Sequence, residues 1–141
     1  MTEIELVALP KPRKPWHLVQ AKEDLSRAIE DLRKHTGWFG VDAERASGFK
    51  YSQRAYLIQI NRADSDIYLI DPWSISPKID VQNFTELARL LSEDAWILHA
   101  ATQDLGCLAE IGLKPPAIID TELGSRLAGL PRVGLGSVRS E

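Results

Sequence analysis

The sequence predicts an α/β fold: a mixed sheet, antiparallel in one part and parallel in the other, with helices on both faces. Three observations lead there. Residues 38–71 hold three strand-like segments in succession, with a short polar turn between the last two. From residue 81 onward, helical and strand patterns alternate. The segment "AWILHA" (95–100) is almost wholly apolar, as a strand covered on both faces requires.

Residues 1–15 precede the first element. Lys11, Arg13 and Lys14 alternate there with Pro10, Pro12 and Pro15, which predicts an extended, mobile lead-in. It is either simply solvated or an arm that touches phosphate. "WHLVQ" (16–20) reads as a short strand. "KEDLSRAIEDLRKH" (22–35) reads as a helix: Leu25, Ile29 and Leu32 share a face, acids lead and bases trail, and Gly37 stops it.

The three strands are "WFGVDAE" (38–44), "RAYLIQIN" (54–61) and "DIYLID" (66–71), with "RADSD" (62–66) turning a hairpin between the last two. They predict an antiparallel meander that Pro72 ends. "VQNFTELARLLSED" (81–94) is an amphipathic helix on Phe84, Leu87, Leu90 and Leu91. After "AWILHA", Thr102 is the expected cap of a helix running to about Ile111, closed by Gly112. "AIID" (117–120) is a short strand, and a helix from Thr121 to about Ala128 ends at Gly129 and Pro131.

Composition excludes several classes of function. The chain has 141 residues, one domain's worth, with 44% hydrophobic and 26% charged residues. No long apolar run suggests a signal peptide or a membrane span. One cysteine, Cys107, rules out an internal disulfide framework and fits a reducing cytoplasm. The three histidines are scattered without zinc spacing. A formal charge of −3 gives no global attraction to nucleic acid, so phosphates would need local bases or bound cations.

Asp42 and Glu44 are the first candidates for chemistry. In a strand they share one face, with Cα atoms roughly 6.5 Å apart. Either they are two acids on a wet strand end, or a hard divalent cation such as Mg²⁺ or Mn²⁺ joins them. Asp104 falls in the first turn of the helix after "AWILHA", where a carboxylate is favoured in any case. If that strand lies beside "WFGVDAE", Asp104 comes near the other two and three acids surround one polar place. His99 is a packing residue or a general base, and Cys107 is a small core residue. "GLGS" (134–137) lacks the lysine of a phosphate loop and reads as a loop ending at a Ser137 helix cap.

Together, "WFGVDAERASGFKYSQRAYLIQI", "IYLIDP" and "WILHAATQDLGCLAEIGLKPPAIIDTELGSRLAGLPRVGLGS" resemble the first two motifs and flanking strands of ribonuclease D-type 3′-5′ exonucleases. The resemblance runs from about Trp16 to Ser137. It implies a ribonuclease H-like fold, a four-acid site binding two Mg²⁺ or Mn²⁺ ions, and hydrolysis at RNA 3′ ends. Asp42 and Glu44 match the first-motif acids and Asp104 the second-motif acid, as metal ligands and catalytic residues. Asp120 and Glu122 match no acid of the site. The third motif, a tyrosine or histidine with an acid four residues on, is absent: Tyr68 is followed at that offset by Pro72 and His99 by Gln103. The expectation is a lead-in over residues 1–15 and an exonuclease-like domain over 16–141 that lacks its last helix. Such a chain is either the metal-dependent part of an exoribonuclease or a non-catalytic remnant that binds nucleic acid or a protein partner.

Overall fold

In the computed structural model, which describes residues 13–45, 55–131 and 133–135, six strands pair into one mixed sheet. They are β1 (Trp16–Val19), β2 (Phe39–Arg45), β3 (Ala55–Arg62), β4 (Ile67–Ile70), β5 (Trp96–Leu98) and β6 (Ile118–Asp120), ordered β1-β4-β3-β2-β5-β6 across the sheet. β2, β3 and β4 form the expected antiparallel meander. β1 joins β4, β5 joins β2 and β6 joins β5, all in parallel.

The helices are α1 (Lys22–Arg33), α2 (Pro72–Ile75), α3 (Thr85–Leu91), α4 (Ala101–Glu110) and α5 (Thr121–Leu127). The helix expected over 81–94 is split: Val81–Phe84 is a 3₁₀ turn, started by the Asp80 side chain, before α3 begins. The short α2 was not legible. Pro72 ends β4 but also opens a turn of helix, and Asp71 caps it through the Ser74 N–H.

One face of the sheet carries the core. Phe39, Val41 and Ala43 point there, with Ile58, Ile60, Ile70, Trp96 and Leu98 from neighbouring strands. Leu25, Ala28, Ile29 and Leu32 of α1 and Leu87, Leu90 and Leu91 of α3 complete it. The opposite face is less covered. Ile97, mid-β5, is only half-buried, although the apolar run "AWILHA" predicts cover on both sides.

Two polar anchors hold β2 and β5 at their starts. Arg62 is 5% exposed and ends β3 instead of belonging to the turn. Its Nε donates to the Gly37 carbonyl at 2.9 Å, its guanidinium lies 4.4 Å from the Phe39 ring centre, and it pairs with Glu93 at 3.3 Å. The Trp96 indole donates to the Leu91 carbonyl at 2.7 Å. The end of the expected mobile lead-in is tied down: Lys14 donates to the Ala63 carbonyl, and the Pro15 carbonyl accepts from Ile67. Residues 1–12 and the Ser137 cap lie outside the described residues.

Candidate active site

Strand alternation sets the first part of the site. With Phe39, Val41 and Ala43 facing the core, Gly40, Asp42 and Glu44 face the other way, and both acids are exposed. A Cβ on Gly40 would lie 2.5 Å from Asn61 Oδ1, so glycine leaves room for that amide beside β2. The register then slips between Glu44 and Arg45.

β5 supplies the second part. It runs parallel to β2, with Phe39 opposite Trp96 and Gly40 opposite Ile97. The chain leaves β5 through His99 and Ala100 and enters α4 at Ala101. Ala100, not Thr102, is the N-cap, and it adopts a left-handed backbone with φ 57°. No side chain of α4's own turn caps the helix. The Asp120 carboxylate, at the end of β6, accepts from the Ala100 N–H at 3.1 Å and the Ala101 N–H at 2.9 Å. Burial would raise that carboxyl, but backbone donors from Ala101, Leu123, Glu122 and Ala100 outweigh it and hold it below the usual range.

This start aims the first turn of α4 at β2. Asp104 is 7% exposed there. Its carboxyl shares a hydrogen bond with Asp42 and accepts one from the Ala43 N–H. Burial pushes it up first, and the Asp42 charge adds to that. Arg45 opposes, and the net position is about 6. Two converging carboxyls make a place that favours positive charge.

Of the expected trio, Asp42 and Asp104 meet, and Glu44 follows two residues on along the same face of β2. Among the described residues, no three His, Cys, Asp or Glu side chains are grouped closely enough to hold a metal ion. Glu44 is exposed and still in register with Leu57 of β3.

A cleft of about 410 Å³ lies on the open face, lined by Asp42, Gln59, Asn61, Ile97, His99 and Leu135 among others. His99 is a hydrogen-bonded residue of its wall. The Thr121 hydroxyl donates to the Leu98 carbonyl at 3.2 Å, so it accepts from His99 Nδ1 at 2.9 Å. Cys107 is fully buried, its Sγ donates to the Asp104 carbonyl, and burial and the Asp104 charge push its thiol up. It is a core residue and no nucleophile.

Sequence reasoning missed Asp120. An acid directly before a helix was a visible N-cap signal for α5. Its reach to α4 depends on β5 and β6 being neighbours, which no local pattern shows.

Comparison with known proteins agrees with this fold. The family described as 3′-5′ exonuclease matches residues 16–139. A ribonuclease D of Desulfotalea psychrophila is 32% identical over 119 residues, covering 82% of this chain and 30% of that protein. A solved protein from Bifidobacterium adolescentis superposes with a TM-score of 0.76 at 30% identity, over 87% of this chain and 31% of its own. Escherichia coli RNase D, described as an exoribonuclease involved in structured RNA processing, has a TM-score of 0.69 at 24% identity, over 82% and 30%. The chain thus spans about a third of the length of these relatives. No helix among the described residues is long and apolar enough to cross a membrane.

Proposed function

This chain belongs to the 3′-5′ exonuclease family and is of ribonuclease D type, and on that premise we propose that it contributes Asp42, Glu44 and Asp104 to a metal-dependent site acting on RNA 3′ ends. The observation that carries the proposal is the meeting of Asp42 and Asp104 across β2 and α4, with Asp104 displaced to about 6. Structural carboxylates gain by being paired with a base or solvated. These two face each other, and a proton or a bound cation relieves their repulsion.

The donor set suits a hard cation. Mg²⁺ is commonly held by one or two carboxylates, with waters and substrate phosphates completing its shell. Two converging carboxylates with oxygen donors meet that requirement; a dedicated cage of three or more is not needed. Bound there, Mg²⁺ or Mn²⁺ supplies charge to the transferring phosphodiester and lowers the pKa of water. Asp42 and Asp104 hold and orient, and Glu44 adds charge further along the strand. The cleft walls beside Asp42 offer amides, an imidazole and apolar side chains to a terminal nucleotide. With a net charge of −3 the chain has no global attraction for phosphate, and such a cation would supply a local one.

RNA as substrate rests on the ribonuclease D relative. The third-motif pattern does not occur within the 141 residues, so we place full turnover in this chain joined to a segment that carries it. Two measurements test the reading. Calorimetry with Mn²⁺ should show affinity about tenfold or more weaker in Asp42→Asn. The chain joined to a third motif should shorten RNA from its 3′ end only with Mg²⁺ or Mn²⁺ present. Unchanged Mn²⁺ affinity in Asp42→Asn, or digestion in chelator, overturns the metal assignment. RNA binding without digestion in the joined form favours the non-catalytic alternative.

A further inference from the structure

Asp120 takes no part in the acid pair, yet its carboxylate accepts four backbone hydrogen bonds. Oδ1 accepts from the N–H of Ala100 at 3.1 Å, Glu122 at 2.9 Å and Leu123 at 3.3 Å, and Oδ2 accepts from Ala101 at 2.9 Å. An ordinary N-cap serves only its own helix. This one serves α5 and, twenty residues back, the start of α4. Thr121 repeats the link beside it, through the Leu98 carbonyl and His99.

The place it holds is an unfavourable one. Ala100 has the left-handed backbone that a Cβ disfavours, and it lies between β5 and α4. Without an outside acceptor, the Ala100 and Ala101 donors would lose their partners and the turn could relax. One helical turn separates Ala101 from Asp104, about 4.5 Å of rise. A change in how α4 leaves β5 therefore moves the Asp104 carboxyl relative to Asp42.

We propose that Asp120 is a positioning residue of the acid site: by holding Ala100 and Ala101 it fixes the first turn of α4 and so keeps Asp104 against Asp42. The proposal rests on the metal-site reading above for its functional meaning. Residues behind metal ligands commonly matter almost as much as the ligands themselves.

Two variants separate positioning from plain capping. Asp120→Ser keeps a good N-cap for α5, but its side chain is too short to reach Ala100 and Ala101. Asp120→Asn keeps one carbonyl oxygen for the three Oδ1 donors and loses only the bond to Ala101. The readouts are Mn²⁺ affinity, by electron paramagnetic resonance of the free ion, and amide hydrogen exchange by NMR. The control is Ile29→Val, a core truncation on α1. Asp120→Ser should bind Mn²⁺ about tenfold or more weakly, Asp120→Asn should be intermediate, and Ile29→Val should match the parent. In Asp120→Ser the Gln103 amide, which donates to the Ala100 carbonyl, should exchange faster while Ala128, on the α5 side, stays protected. Parental Mn²⁺ affinity in Asp120→Ser, or faster exchange confined to Ala100 and Ala101, overturns the proposal. If Asp104→Asn leaves Mn²⁺ binding unchanged, the metal reading fails separately, and the Gln103 amide alone decides whether Asp120 positions the turn.

Discussion

Replacing Asp104 with asparagine should stabilise the folded chain at neutral pH, and the effect should vanish in acid. In the folded state the carboxyl titrates near 6, against an ordinary value of 3.8. Between those values the folded protein holds a proton that the unfolded chain releases. Stability from this group is therefore fully present below about pH 4 and is lost as pH rises through 6. The gap of roughly 2 pH units corresponds to about 3 kcal/mol at pH 7. Asp104 is 7% exposed but lies beside the exposed Asp42, so about 3 kcal/mol is an upper figure. Asparagine is neutral, nearly the same shape, and can donate to Asp42 while accepting from the Ala43 N–H. Against a total of about 5–15 kcal/mol the gain is large, and it should raise Tm by roughly 6–12 °C at pH 7. Thermal unfolding of parent and Asp104→Asn at pH 4 and pH 7 measures it directly. Mn²⁺ should then stabilise the parent at pH 7 and leave the variant unmoved, because a ligand stabilises only the state that binds it. A plain helix-start acid predicts the opposite sign, a loss of about 0.3–1 kcal/mol at neutral pH. A variant less stable than the parent at pH 7 refutes the electrostatic account.

Three further outcomes check the scaffold around the site. Arg62→Met should cost about 2–4 kcal/mol in urea unfolding, since it removes the bond to the Gly37 carbonyl and the contact with the Phe39 ring. Gly40→Ala should cost about 1 kcal/mol by pushing the Asn61 amide aside, and Asn61→Ala in the same chain should recover most of it. Cys107 should resist iodoacetamide at pH 7.5 until the chain unfolds, as its burial and raised thiol require, and mass spectrometry along a urea series should show labelling track unfolding.

Period and punctuation made most of the fold legible. The helix-period apolar residues of α1 and the alternation in β2 each assign an element from local sequence, and all of these segments formed. Gly37, Gly112 and Gly129 all take positive φ at the stops assigned to them. What escaped was tertiary. Arg62 reads as a turn residue because charge usually marks a turn, yet the Gly37 carbonyl and the Phe39 ring make its burial tolerable. Thr102 reads as a cap because its own sequence favours it. The cap that forms is supplied from β6, so no pattern near α4 could show it. Asp42 and Glu44 were visible as a pair on one face, but the approach of Asp104 to Asp42 depends on where α4 begins.

Three departures from local preference meet around one turn. Ala100 has a backbone that alanine avoids, Asp104 is a buried acid facing another acid, and Asp120 spends four hydrogen bonds across two helices. A turn selected for stability alone would have glycine at 100 and a neutral residue at 104, with no need for the cross-strand clamp. Each departure is costly separately, but together they have one consequence: two carboxylates are held at a fixed approach despite repelling each other. Strain of this kind persists where surrounding structure enforces it, and it gathers where a site must be ready before its ligand arrives. If that is its purpose, Ala100→Gly should relax the turn without lowering stability, yet weaken Mn²⁺ binding because the first turn of α4 gains freedom. Greater or equal stability combined with unchanged Mn²⁺ affinity would show that the strained turn does nothing for the acids it presents.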